Sequence, residues 1–144
     1  DNNSLIEQFG MKPYKLRVKE KYMSKRQLNH FKKILNSWKQ QLEQEAEKTV
    51  NHMQKDSNSL ADPNDRATQE SEFGLELRTR DRERKLIRKI QSSLIKIDDG
   101  TFGYCEETGE EIGLQRLEAR PVASLTLEAQ ERREITEKQY TDSR

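Results

Sequence analysis

The chain has 144 residues, of which 31% are apolar and 37% charged, where an average soluble chain has roughly 45–50% apolar including Gly and about 25% charged. A chain this polar cannot fill one large core, so the length allows a small domain plus an extended element. With 27 basic against 26 acidic residues the net charge is +1, which excludes a generally DNA-coating polycation, and no apolar run approaches a membrane span or a secretory core.

Along the chain, Ser4-Leu5-Ile6-Glu7 has the pattern of a capping box opening a short helix that Gly10 would end. A Lys-rich stretch after Pro13-Tyr14 leads to a second capping box, Ser24-Lys25-Arg26-Gln27. Beyond it Leu28, Phe31, Leu35, Trp38, Leu42, Ala46, Val50 and Met53 recur at steps of three and four. This spacing predicts an amphipathic helix of about 30 residues, roughly 45 Å long, running to about Lys55. Asp56-Ser57-Asn58-Ser59 interrupts it. A second helix is expected from Pro63 to Asp98-Asp99-Gly100, with Phe73, Leu77, Ile87, Ile90, Leu94 and Ile97 as its apolar positions. Two helices of matching length joined by a short polar turn pack antiparallel as a coiled-coil hairpin. Arg80 and Arg84 fall at heptad places expected to be apolar, so the middle of the seam is less tightly specified than its ends.

The hairpin tip, residues 57–66, carries Asp62-Pro63-Asn64-Asp65-Arg66. Asp62 suits the N-cap, Pro63 the first helical position, and Asp65 falls where a carboxylate meets free N–H groups and the positive end of the helix dipole. Such a helix start needs no function of its own. On the second helix Arg78, Arg82, Lys85 and Lys89 share one face at steps of four, three and four. A stripe of this kind is commonly just solvated surface.

After residue 100 the texture changes. Phe102-Gly103-Tyr104-Cys105-Glu106-Glu107-Thr108-Gly109 and Glu111-Ile112-Gly113-Leu114 suit two small strands or tight loops, Pro121 closes a loop, and Leu125 to Tyr140 reads as a last amphipathic helix. The expected organisation is therefore mainly α. Residues 1–23 form an N-terminal segment packing on a knob, 24–100 the hairpin, and 101–144 the small globular knob with its C-terminal helix.

Phe102-Gly103-Tyr104-Cys105-x-x-Thr108-Gly109, Leu117-Glu118-Ala119-Arg120-Pro121 and Thr126-x-x-Ala129, with the tip Asp62-Pro63-x-Asp65-Arg66-Ala67 and the run Glu76 to Ile87, resemble the DksA/TraR family over about residues 20–140. That family carries a zinc finger of two Cys-x-x-Cys pairs with seventeen residues between them. Here Cys105 keeps one ligand place, while Thr108, Thr126 and Ala129 stand at the other three. One thiolate beside two hydroxyls and a methyl is no tetrahedral zinc site, and His30 and His52 both fall on the first long helix. The chain thus resembles a cysteine-poor, zinc-independent branch. Phe102, Tyr104, Ile112, Leu114, Leu117, Val122, Leu125 and Leu127 are the expected packing set of the knob, and Cys105 is expected to be a small buried hydrophobe rather than a reactive thiol.

The resemblance implies a monomeric, cytoplasmic, non-enzymatic regulator that binds bacterial RNA polymerase and makes no sequence-specific DNA contact of its own. In this reading the hairpin enters the secondary channel and Asp62, Asp65 and Ala67 act at the active centre. Arg82, Lys85, Leu86, Lys89 and Arg120 share ppGpp with the polymerase in the stringent response, inhibiting ribosomal-RNA-type promoters. No cofactor is expected to bind stably to the chain alone. Gln130 stands where the family often has a Lys, removing one expected phosphate contact. A backup role for a zinc-containing relative is a further implication. No His–carboxylate–nucleophile set, phosphate loop or metal cage supports an enzyme. Two rivals are a Gre-type transcript-cleavage factor, for which about 45 residues after Gly100 are too few to build the expected β-rich domain, and a non-catalytic coiled-coil adaptor.

Overall fold

The computed structural model describes residues 4–57 and 63–142, with the backbone alone at 4, 53, 56, 57 and 63–65. Five helices follow one another: α1 (Ser4–Gln8), α2 (Lys25–Ser57), α3 (Pro63–Asp99), α4 (Leu114–Ala119) and α5 (Leu127–Asp142). At 33 and 37 residues, α2 and α3 are about 50 and 55 Å long. The chain divides into two compact units, Asn36–Gln91 and the remainder, so that α2 and α3 each contribute to both.

In the unit 36–91, α2 and α3 run antiparallel. His52 Nδ1 lies 3.1 Å from Glu76 Oε1, and seven residues along each helix Glu45 faces Glu83. Leu42 and Ile90 are buried as the periodicity requires. Leu77, expected in the seam, is 45% exposed, and Arg84 is exposed as well. A seam at 3.5 residues per turn drifts against a straight 3.6-residue helix, and here it passes through Glu83 instead of Arg84. The middle of the hairpin is polar. Glu76 Oε2, Glu83 Oε2 and Gln69 Nε2 are buried without a hydrogen-bond partner among the described residues, and burial together with Glu45 raises the Glu83 pKa.

The other unit gathers α1, the arm from Phe9 to Ser24, the start of α2, the end of α3 and everything beyond. Its core is Ile6, Phe31, Ile34, Leu35, Phe102, Leu117 and Leu125, each at most 2% exposed, and the Phe31 and Phe102 rings pack 5.5 Å apart. Fully burying a side chain of this size is worth about 1.5–3 kcal/mol. The second capping box forms with a shift of one residue: Ser24 Oγ accepts from Gln27 N at 3.3 Å, while Gln27 Oε1 reaches back to the N–H of Met23 at 2.7 Å. At its other end α3 stops where Gly100 turns to φ +84° and the N–H groups of Thr101 and Phe102 both return to Lys96 O.

The segment 101–113 forms tight loops, with one isolated antiparallel bridge between Tyr104 and Glu111 and no strand among the described residues. A helix, α4, occupies Leu114–Ala119, where the sequence suggested only loop and short strand. Six residues are too few for periodicity to declare themselves, and burial of Leu117 decides the outcome. Two members of the expected packing set lie outside it: Tyr104 is 37% and Leu127 51% exposed. Cys105, Pro121, Thr126 and Ala129 are buried in the same unit.

Candidate functional site

Of the expected tip residues, Asp62 lies outside the described residues. Asp65 is on the first turn of α3, and Ala67 follows it, exposed.

On α3 the basic stripe has the expected form. Arg78, Arg82 and Lys85, together with Leu75, Thr79 and Asp81, line one shallow cleft of about 510 Å³. Steps of three and four residues set these side chains one above another, and Asp81 partly offsets their charge. Lys89 is exposed one turn beyond, and Leu86 is half-buried. Arg120 belongs to the other unit. There its N–H caps α4 by donating to Arg116 O at 2.8 Å, and it lines a cleft of about 760 Å³ with Glu110, Arg116 and Glu128 among others. Gln130 donates to Glu134 Oε1 at 3.0 Å along the exposed side of α5.

The Cys105 turn is ordered by the donors around the sulfur. Burial pushes the thiol pKa up, but the Thr108 hydroxyl and the N–H groups of Thr126, Thr108 and Glu107 donate toward the sulfur and outweigh burial, bringing the pKa down to about 6. Thr126 Oγ1 sits 3.9 Å from the sulfur and accepts from Ala129 N at 3.2 Å, so the hydroxyl starts α5. Cys105 is buried among the core residues, as expected, and the donors around its sulfur favour the thiolate.

Two family models match the chain consecutively: the N-terminal domain of the DnaK suppressor protein DksA over residues 27–97, and the prokaryotic dksA/traR C4-type zinc finger over residues 100–134. The chain belongs to the DksA/TraR family. The RNA polymerase-binding transcription factor DksA of Haemophilus influenzae is 54% identical over 94% of each chain. That of Escherichia coli K12 is 52% identical over 94% of this chain and 90% of its own. The solved structure of transcription factor DksA2 from Pseudomonas aeruginosa superposes with a TM-score of 0.75 at 38% identity, over 81% of this chain and 90% of that one.

A DksA zinc finger of the four-cysteine kind does not fit these residues. Ala129 has no donor atom, the Thr126 hydroxyl is engaged by Ala129 N, and among the described residues no cluster of His, Cys, Asp or Glu could hold a metal ion. Backbone donors gather around the one sulfur, with polar contacts of the N-terminal arm beside it.

The contacts that join the arm to the loops beyond residue 100 escape sequence reasoning, because their partners lie far apart in the chain. Tyr22 Oη donates to Gly103 O at 2.7 Å and accepts from Gly113 N at 2.9 Å, which ties both ends of the Cys105 loop to the arm. Tyr14 N donates to Glu118 Oε1, and the same oxygen lies 3.3 Å from His30 Nε2. Burial lowers the His30 pKa against the opposing pull of Glu118. Glu20 collects bonds from the Tyr14 hydroxyl, Gln27 Nε2, Ser24 Oγ and Arg26 Nη1, and the Tyr14 bond foremost brings its pKa down to about 2. Ser24 and Gln27, the two ends of the capping box, gave the local signal of that network.

Proposed function

We propose that this chain is a non-catalytic regulator of transcription that binds bacterial RNA polymerase through the secondary channel. The observation that carries the reading is the identity of 52–54% over 94% of the chain to relatives named for polymerase binding. The antiparallel pair α2 and α3 is narrow enough for a channel, and a carboxylate on the first turn of α3, Asp65, can pair with basic groups or Mg²⁺ at its far end. Asp62, Asp65 and Ala67 are the tip determinants. Arg82, Lys85, Leu86 and Lys89, with Arg120, supply the chain's share of a ppGpp site completed by the polymerase. The result is inhibition of ribosomal-RNA-type promoters in the stringent response, in the cytoplasm, by a monomer that makes no sequence-specific DNA contact. The knob is held by packing and by the arm instead of by zinc, which suits a protein that replaces a zinc-containing relative when the metal is scarce.

The test is direct. Purified chain is expected to co-elute with core RNA polymerase and to reduce transcription from a ribosomal promoter in vitro, more strongly with ppGpp. A chain that leaves polymerase untouched, or that binds it and stimulates cleavage of backtracked RNA instead, is not the regulator described.

A further inference from the structure

The net charge of +1 conceals a strongly basic stretch: residues 11–33 hold nine Lys and Arg and a single acid, Glu20. That one carboxylate is turned inward. It accepts from Tyr14, Ser24 and Gln27, pairs with Arg26 at 2.8 Å, and takes a weaker bond from Arg17 N at 3.3 Å. Its neighbours Lys15, Arg17, Lys19 and Lys21 are exposed and form no ion pair among the described residues.

The same carboxylate fixes the loop between them. Arg17–Glu20 closes as a turn through Glu20 N to Arg17 O at 3.2 Å, with Lys19 at φ +62°, a left-handed conformation uncommon for a lysine. Between its charged residues this constrained turn presents one apolar side chain, and a second precedes it. Val18 is 93% and Leu16 60% exposed. A partner without shape specificity needs no such fixing, since flexible lysines serve equally well. A pre-organised turn lowers the ordering cost of binding, and aliphatic side chains repay that only when they are buried against another apolar surface.

We propose that the Arg17–Glu20 turn, with Leu16 before it, is a docking element for an acidic protein surface with an apolar pocket at its centre, Val18 entering the pocket and Lys15, Arg17, Lys19 and Lys21 meeting its carboxylates. The pocket is on RNA polymerase, a placement that rests on the functional reading above. A nucleic-acid backbone would satisfy the cations but offers nothing to Leu16 and Val18, so protein is the occupant the residues favour. The arrangement is that of a small interface hot spot, an apolar anchor ringed by charges that steer the encounter.

The experiment titrates fluorescently labelled full-length chain with purified core RNA polymerase, comparing the parent with Val18→Ser, Val18→Asp and Leu16→Asp. Both side chains face solvent, so helicity and melting should be unchanged. Expected is a loss of affinity of about tenfold for Val18→Ser and more for Val18→Asp. Affinity of the parent should also fall as salt is raised. Parent-like affinity in the Val18 and Leu16 variants overturns the proposal while leaving the functional reading in place. So does binding of the parent to a labelled DNA duplex that these substitutions weaken while polymerase affinity stays the same. A parent that does not bind polymerase at all removes the functional reading, and this proposal with it.

Discussion

The hydroxyl of Tyr22 donates to the carbonyl of Gly103 at 2.7 Å while accepting from the N–H of Gly113 at 2.9 Å, so one side chain of the arm closes a loop that the family's C4-type model fastens with metal. The approach is close: a Cβ on Gly103 would meet Met23 Sδ and Cγ at 2.9 Å, and φ there is +94°.

Tyr22→Phe removes both bonds and leaves a carbonyl and an N–H without their partner. The expected cost is about 1–3 kcal/mol, measured by urea denaturation. Gly103→Ala should cost a comparable amount through strain and collision with Met23. A Tyr22→Phe chain as stable as the parent would show that the arm does not hold the knob.

Cys105 titrates from a cradle of donors that favours its thiolate. Its pKa is about 6 in the folded chain against an ordinary 9.0, so the stability it contributes is complete above about pH 9 and declines as pH falls through 6. Thiolate absorbance should show a native midpoint near 6, moving to the ordinary range on unfolding. Relative to Cys105→Ser, the parent should gain stability between pH 6 and 9. Elemental analysis is expected to find no stoichiometric zinc, and a chelator should leave helicity unchanged; one tightly bound zinc lost together with helicity would overturn the account of the knob.

Glu20 behaves in the same sense at lower pH. The unfolded chain releases this proton near 4.5 and the folded one near 2, so the hub's stabilisation is full above pH 4.5 and is lost as pH falls towards 2. Glu20→Gln should therefore be less stable than the parent at pH 7, with the gap closing progressively below pH 4.5. A gap that stays constant across this range would mean that the carboxylate's charge is irrelevant to the arm.

The tip and the stripe make separable demands. The double variant Asp62→Asn, Asp65→Asn should lose inhibition of a ribosomal promoter yet retain polymerase binding. Its stability should change by no more than about 0.5 kcal/mol, because Asn caps a helix nearly as well as Asp. Arg82→Ala or Lys89→Ala should abolish the extra inhibition caused by ppGpp and spare most of the inhibition without it. If those variants respond to ppGpp as the parent does, the stripe is solvated surface only.

Periodicity and caps were enough for the long elements. The steps from Leu28 to Leu42, the Pro63 start and the Gly100 stop are local signals, each written within a few residues, and α2 and α3 follow them to within about two residues. The identity of the stripe residues was legible for the same reason: positions three and four apart on a helix must share a face. What tertiary structure alone decided is everything built from distant partners. Glu83 in the seam instead of Arg84, the six-residue α4 around Leu117, the thiolate cradle at Cys105, and the bonds of Tyr22 to residues 81 and 91 positions away have no local signature. A short loop segment takes its conformation from whatever burial and hydrogen bonding its neighbours provide, and those neighbours meet only after the chain has folded.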